Sequence, residues 1–512
     1  VGYEMLAGVP PFGGATPQAV RADEPPDLHA VRPDVPAALA QAIATGLARD
    51  PSARFAGAAA FRDAVEAGAG RLAARPRARV PTMLGVAAAL VVALGSGIVW
   101  YWRVHHPPRV DADTVVVAPF DVLDDRLALW HEGMVDVLAR NLDGAGLLRT
   151  VAPSTGIGRW SGRSDRRSAV ALGRATGAGL AIYGSISASG PDSVHASATL
   201  VNVVTGRSLG DVDAQDADSH IDRMCDSLTV QLLRELGRSR RWTAVGRGGS
   251  MGSSSPAAIA AYLQGEHWLR VSNWDSALVS YDRAIGLDSA FALAWAASGL
   301  VHGWQRGGDD AISLSYGLRA GALNRGLAPR DSLLITVDSL MSAIRSGADP
   351  HAWTDLGRSF ATIGAAIQRY PTDPVVWYLE GELREHFGVY RGHYYTSAQV
   401  LDAFDRSIAG DSLFAPAYLH PIERALSLDD EPLARRYIAA YTAQVPNGAA
   451  AGGVRLIEAL VDPGATDAAR DSVLEAASSG ELVQAQASLG AWPDPAEWAI
   501  QSLELLNAPG RQ

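Results

Sequence analysis

The longest uninterrupted apolar run in the chain is VPTMLGVAAALVVALGSGIVWYW, Val80 to Trp102, and it holds no charged residue. As a helix rising about 1.5 Å per residue it reaches roughly 33 Å, enough for a hydrocarbon core of about 30 Å. The pattern predicts one transmembrane helix over 80–104. Before it, PAALAQAIATGLARDP sets Leu39, Ile43 and Leu47 four apart, and TPQAVRA and FAGAAAFRDAVEAG complete a set of short predicted helices. After it the texture changes. TVVVAPF reads as a buried strand, LALWHEGMVDVLARNL as a helix through Leu129, Met134, Val137, Leu138 and Leu142, and LLRTVAP as a second strand. SAVALGRATG is a helix ending at Gly177, followed by the strands LAIYGSIS and SVHASATLVNVVTG. The latter alternates Val194, Ala196, Ala198 and Leu200 on one face, with a turn at Thr205-Gly206. A helix, IDRMCDSLTVQLLREL, closes the unit and is expected to bury Cys225. This order predicts an α/β layer domain over 113–238.

GRGGSMGSSSP, residues 246–256, reads as a Gly/Ser linker. Residues 257–506 then read as helical and repetitive. SYDRAIGLDSAFALAWA (Ser280 to Ala296) and AFDRSIAGDSLFAPAYL (Ala403 to Leu419) share one frame. Gly265, Trp268, Ala277, Tyr281 and Ala284 occupy packing positions of a 34-residue helical hairpin; Gly299 and Ala311 follow 34 residues after Gly265 and Ala277. Trp295 lies four before Gly299, and YPTDPVVWYLEGEL restarts the frame with Trp377 and Gly381. These motifs resemble tetratricopeptide repeats, degenerate or interrupted over 312–350 and 385–400. The resemblance implies a solenoid whose concave face binds a protein or peptide ligand. Trp268, Trp295, Trp377 and Tyr418 are expected in the core, not against a ligand.

Charge orients the predicted span. Arg71, Arg75, Arg77 and Arg79 precede it in an Arg-rich juxtamembrane linker, 68–79, whereas Asp111 and Asp113 follow Arg103 and Arg109. Basic flanks stay cytoplasmic. The expected location is therefore the inner membrane, single-pass, with residues 1–79 cytoplasmic and 105–512 periplasmic. The bilayer is one expected partner and a homodimer another. The net charge of −11 argues against nucleic acid. All 44 basic residues are arginine, and Cys225 is the only cysteine, so no intrachain disulfide or zinc-type cysteine pair exists. His105 and His106 make a poor chelate in a proline-flanked stretch; His131-Glu132 lacks a second histidine four residues on.

VGYEMLAGVPPFGGATPQAV and RPDVPAALAQAIATGLARDPSARF resemble the end of a bacterial Ser/Thr protein kinase domain. The resemblance covers residues 1–67, the last quarter of such a domain, and implies that Arg54 pairs with a glutamate upstream of Val1. The chain has no lysine, HRD or DFG. It is thus expected to carry no catalytic, cofactor-binding or metal residues and to transfer no phosphate as given; ATP and Mg belong to the missing part. VVVAPF, EGMVDVLARNL, ALGRATGAGLAIYGSIS and LVNVVTG resemble the amino-terminal α/β domain of TolB. The expected fold class is therefore multidomain: an α-helical kinase large-lobe remnant, a single transmembrane helix, an α/β layer domain and an α-helical tetratricopeptide-type solenoid. The expected function is a fragment of a membrane-anchored receptor-type Ser/Thr kinase with an outer sensing or protein-binding region. The alternative is a catalytically inert, membrane-anchored repeat scaffold.

Overall fold

The computed structural model describes residues 3, 27–32, 35–48, 53–69, 110–240, 251–306, 310–347, 356–388, 394–445, 449–492 and 496–507. The predicted span over 80–104, most of the juxtamembrane linker, and the TPQAVRA helix lie outside them. Among the described residues no helix is long and apolar enough to cross a membrane. The chain divides into two compact units, Val1–His105 and His106–Gln512.

The first unit contains α1 (Leu28–Val31), α2 (Ala37–Gly46) and α3 (Ala58–Ala69). Asp27 caps α1 by accepting from the His29 amide. Leu39 and Ile43, one turn apart, bury with Tyr3, Leu28 and Val35, while Phe61 and Val65 of α3 pack against them. Arg54 donates through Nε to the Ala48 carbonyl at 2.7 Å, a local bond that ties down the chain after α2.

The second unit opens with a mixed sheet. Its strands are β1 (Asp111–Val117), β2 (Asp121–Val122), β3 (Arg149–Thr150), β4 (Ala178–Gly190), β5 (Ser193–Asn202) and β6 (Ser208–Ala217). The order is β3-β1-β4-β5-β6, with β2 also paired to β4. β1 runs parallel to β3 and β4; β4, β5 and β6 form an antiparallel meander. α4 (Trp130–Gly144), α5 (Pro153–Gly158) and α6 (Arg166–Thr176) make the crossover from β1, and α7 (Ile221–Arg240) follows β6. Val115 and Val117 face α4 and α7, whereas Val116 packs with Ala169 and Leu172 of α6, so both faces are covered. Val194, Ala196, Ala198 and Leu200 are all buried on one face of β5. Gly206 takes φ +69° in the β5–β6 turn, a left-handed conformation that favours glycine. Cys225 is fully buried on α7, with its Sγ 3.6 Å from Met134 Sδ.

Fourteen helices follow among the described residues: α8 (Pro256–Arg270), α9 (Trp274–Leu287), α10 (Ala292–Arg306), α11 (Ala311–Ala322), α12 (Pro329–Ser346), α13 (Leu356–Arg369) and α14 (Pro374–Phe387). The rest are α15 (Ser397–Gly410), α16 (Leu419–Ser427), α17 (Glu431–Gln444), α18 (Ala449–Leu460), α19 (Asp467–Ala476), α20 (Ser479–Ala491) and α21 (Ala496–Asn507). They are helical hairpins stacked in sequence, and the repeated frame shows in the packing. The Tyr281 ring of α9 lies where a Cβ on Gly265 of α8 would stand, 2.4 Å away; Phe404 of α15 does the same at Gly381 of α14, 2.7 Å away. Ala277 and Ala284 flank Tyr281 and are fully buried. Three aromatic tips also repeat one bond: Trp295 Nε1, Trp377 Nε1 and Tyr418 OH each donate to the carbonyl six residues earlier, at 3.0, 2.8 and 2.9 Å.

Two expectations need correction. Ala311 is the first residue of α11 and is exposed; it packs nothing. α9 starts nine residues after Gly265, but α11 starts twelve after Gly299, so the longer connection shifts the frame by three. Leu314 takes the buried place, and Gly299 instead meets Tyr316 and the Ser313 carbonyl. The described end of the Gly/Ser stretch is also no free linker. Met251 is 5% exposed in the core, Ser253 Oγ donates to Asp288 Oδ2 at 2.6 Å, and Ser255 caps α8. That core runs without a break from Val115 of the sheet to Ile335 of α12. The α/β layer and the first hairpins therefore fold as one body.

Candidate functional site

Helix α4 joins the α/β layer to the repeats. Its apolar positions Met134, Val137, Leu138 and Leu142 bury toward the sheet. A second stripe, Glu132, Asp136, Arg140 and Asp143, is spaced four, four and three, so it forms one opposite face. That face meets the inner side of the hairpins. Arg140 bonds Asp331 Oδ2 at 2.9 Å, Asp136 Oδ1 at 3.2 Å and Tyr262 OH at 3.0 Å. Arg270 of α8 donates to Glu132 Oε2 at 2.9 Å and to Asp136 Oδ2 at 3.1 Å. Asp143 accepts from the Arg330 amide at 3.1 Å and from Tyr370 OH at 2.9 Å. Arg330 in turn bonds Asp373. Burial alone would pull Arg270 down, but Asp136, Glu132 and Glu266 hold it above the ordinary guanidinium range. Desolvation raises Glu266, which accepts from Tyr281 OH at 2.8 Å. These inner arginines are neutralised within the fold and offer little free charge to a ligand.

Two adjoining cavities lie beside this network, of about 430 and 320 Å³. They share Leu300, Trp304, Asp338, Tyr378, Leu379 and Pro416. Trp304 stands at their junction, donating from Nε1 to Tyr378 OH at 2.8 Å. Its ring centroid is 5.8 Å from both Trp274 and Phe414. The larger cavity reaches Arg140, Arg270 and Tyr262; the smaller is bounded on its far side by Val454 and Ile457 of α18 and Gln484 of α20. The array curls until its far end meets its near end: Gln484 Nε2 donates to the Gln305 carbonyl of α10. The expected concave inner face is lined by α4 on one side and, through Gln484, reached by α20 on the other.

The smaller cavity carries the molecule's most chemically distinctive group. Glu382 and His386 sit one turn apart on α14, and His420 faces them from α16. His420 Nε2 is 3.2 Å from Glu382 Oε1, and its Nδ1 is 2.8 Å from Glu423 Oε2. His386 Nε2 is 3.5 Å from Glu382 Oε2. Burial opposes both charges, yet the facing histidines hold Glu382 well below the carboxylate range, and Glu382 with Glu423 holds His420 well above the imidazole range. Nearby, burial pushes Asp338 up to about 7, against the pull of Arg345.

No family model matches the sequence, and no curated protein matches it. Solved structures do align. One is PilW, a type IV pilus biogenesis factor, at 15% identity and TM-score 0.26, covering 48% of this chain and 98% of that one. Another is YrrB, described as a TPR protein with an unusual peptide-binding site, at 15% identity and TM-score 0.19, covering 37% and 87%. A third is the Cut9–Hcn1 hetero-tetramer of the APC/C, at 14% and 0.27, covering 49% and 42%. Likeness of that size assigns neither family nor function. The helical-hairpin assignment rests on the packing of Gly265, Tyr281, Gly381 and Phe404.

None of the repeat-frame residues lines either cavity. Trp268 and Trp295 are half-buried between helices, Trp295 edge-on to Tyr316 at 4.7 Å, and Trp377 lies under Arg406 at 4.5 Å. The frame marks how helices touch, and the cavity residues occupy other faces of the same helices. Trp304, Tyr378, His386 and His420 were missed. The 4-4-3 polar stripe of α4 was the one signal in the sequence that pointed inward.

Proposed function

We propose that the second unit is a non-enzymatic docking scaffold. A partner's apolar or aromatic peptide segment enters the inner cavities, and the α/β layer holds the hairpins in a fixed curvature. The observation that carries this is the aromatic junction of Trp304, Tyr378 and Phe414 between two connected cavities inside stacked helical hairpins. Aromatic anchors seated in well-packed pockets carry much of the energy of peptide recognition. The test is selection of a displayed peptide library against the intact chain, followed by anisotropy titration of the enriched peptides. The expected result is saturable binding that weakens at least about tenfold in Trp304→Ala. Absence of saturable binding, or binding indifferent to that change, overturns the reading.

A second reading is supported by the motifs of residues 1–67 and by the apolar run at 80–104: the scaffold is the periplasmic, outer part of a single-pass receptor-type Ser/Thr kinase. The local helix core round Leu39 and Ile43 is compatible with that family's terminal helices. A parent polypeptide with an upstream lysine, HRD and DFG would phosphorylate protein substrates from ATP. A parent without them leaves the inert scaffold. Protease added to sealed spheroplasts, whose outer membrane is already opened, tests the topology: residues 110–507 should be digested while the inner membrane stays sealed, and a fully resistant repeat region overturns the orientation.

A further inference from the structure

We propose that Glu382, His386 and His420 form a binding site for a zinc-class divalent cation, with two imidazole ligands, one carboxylate and an open position facing the smaller cavity. The site stands on its own geometry and does not depend on the docking reading. Four-coordinate bonds of about 2.0–2.2 Å place neighbouring ligand atoms roughly 3.3–3.5 Å apart. His420 Nε2 is 3.2 Å from Glu382 Oε1 and His386 Nε2 is 3.5 Å from Oε2, so each imidazole already stands at ligand spacing from one of the two carboxylate oxygens, and one donor atom from each residue lies within 4.8 Å of the others. The His386 ring is 30% exposed, so it has room to turn toward a cation.

Two further observations separate this group from an ordinary buried ion pair. Glu382 Oε1 is buried and receives no well-directed hydrogen bond, although His420 Nε2 is close by. A salt bridge retained for its own strength would satisfy that atom; a ligand oxygen waiting for a cation need not. Glu423 Oε2, at 2.8 Å from His420 Nδ1, is placed to accept that N–H, so the ring keeps its orientation when a cation displaces the proton that His420 carries on Nε2, the carboxylate–histidine arrangement of metal-bound imidazoles. The backbone supplies the framework. Glu382 and His386 share a face of α14 by their four-residue spacing, and α16 brings in His420 and Glu423 three residues apart. The cavity of about 320 Å³ leaves room for a water or a carbonyl in the fourth position. Imidazole donors select zinc, cobalt or similar cations over magnesium and calcium.

The test uses the full chain, stripped with chelator and titrated with Zn²⁺ or Co²⁺ alone by calorimetry and visible absorption. One cation per chain is expected, with the intense visible bands of four-coordinate cobalt and no competition from Mg²⁺. His386→Gln, on the exposed side of the site, should keep the fold by circular dichroism and weaken binding more than about 100-fold; Glu423→Gln should weaken it about tenfold. Zn²⁺ should raise Tm of the parent chain and leave that of His386→Gln unchanged. No stoichiometric binding, or binding that persists in His386→Gln, overturns the site. The cation titration is read without peptide and the peptide titration on the chelator-stripped chain, so the two readings fail separately.

Discussion

Gly265 and Gly381 show how one missing side chain sets a whole hairpin. Each lets an aromatic ring from the paired helix lie against its backbone, and a methyl group there would sit 2.4 to 2.7 Å from Tyr281 or Phe404. Gly381→Ala should therefore destabilise the chain by about 2 kcal/mol, measured by denaturant unfolding, because the added methyl overlaps a fully buried ring. Asp226 on α7 makes a different kind of statement. Burial pushes its carboxyl up from 3.8 to about 6, although Asn141 donates to it at 2.8 Å and pulls it back. A raised carboxyl favours the protonated fold, so stability falls as pH rises from about 4 to 6 and stays lower above that. Asp226→Asn should melt higher than the parent at pH 7.5, by about 1 kcal/mol for a half-buried group, and the gain should vanish near pH 4.

At the scale of elements, the strands and hairpins were legible where a local rule governs them. Alternation in Val194, Ala196, Ala198 and Leu200 revealed β5 because that face has to be buried. The Gly–Tyr spacing revealed α8 and α9 because it needs only a fixed connection. It failed at Ala311 because connection length is set by loop residues that carry no packing signal. The two faces of α4 carried more than its apolar positions alone disclosed. Its stripe from Glu132 to Asp143 pairs with Arg270, Arg330, Asp331 and Tyr370, between 134 and 227 residues away. Nothing near α4 in the chain names those partners. Removing Arg140 takes the shared cation from Asp136 and Asp331, which keep only Arg270 and Arg330. Arg140→Ala should cost about 2–3 kcal/mol, the loss of charge-assisted hydrogen bonds in a buried network, whereas Arg140→Met paired with Asp136→Asn and Asp331→Leu should recover much of it. Thermal melts of both variants check this. The Glu382, His386 and His420 group was illegible for the same reason, since helix α15 and a 33-residue interval separate its halves.

The second unit behaves as one body because its apolar core passes from the sheet into the helices and because its far hairpins return to α10. The sequence suggested beads on a string, an α/β bead joined to a repeat bead by a pliable tether. Met251 and Ser253 fasten that tether to both. Closure also bears on how quickly anything reaches Trp304. Gln484 latches α20 to the Gln305 carbonyl beside the smaller cavity, so a bulky guest gains room when that latch is released. In stopped-flow mixing, the observed rate should level off as guest concentration climbs, and cutting the Gln484 amide back to alanine should lift that plateau. A latch between distant helices thus slows departure as well as arrival, favouring guests that stay over guests that merely visit.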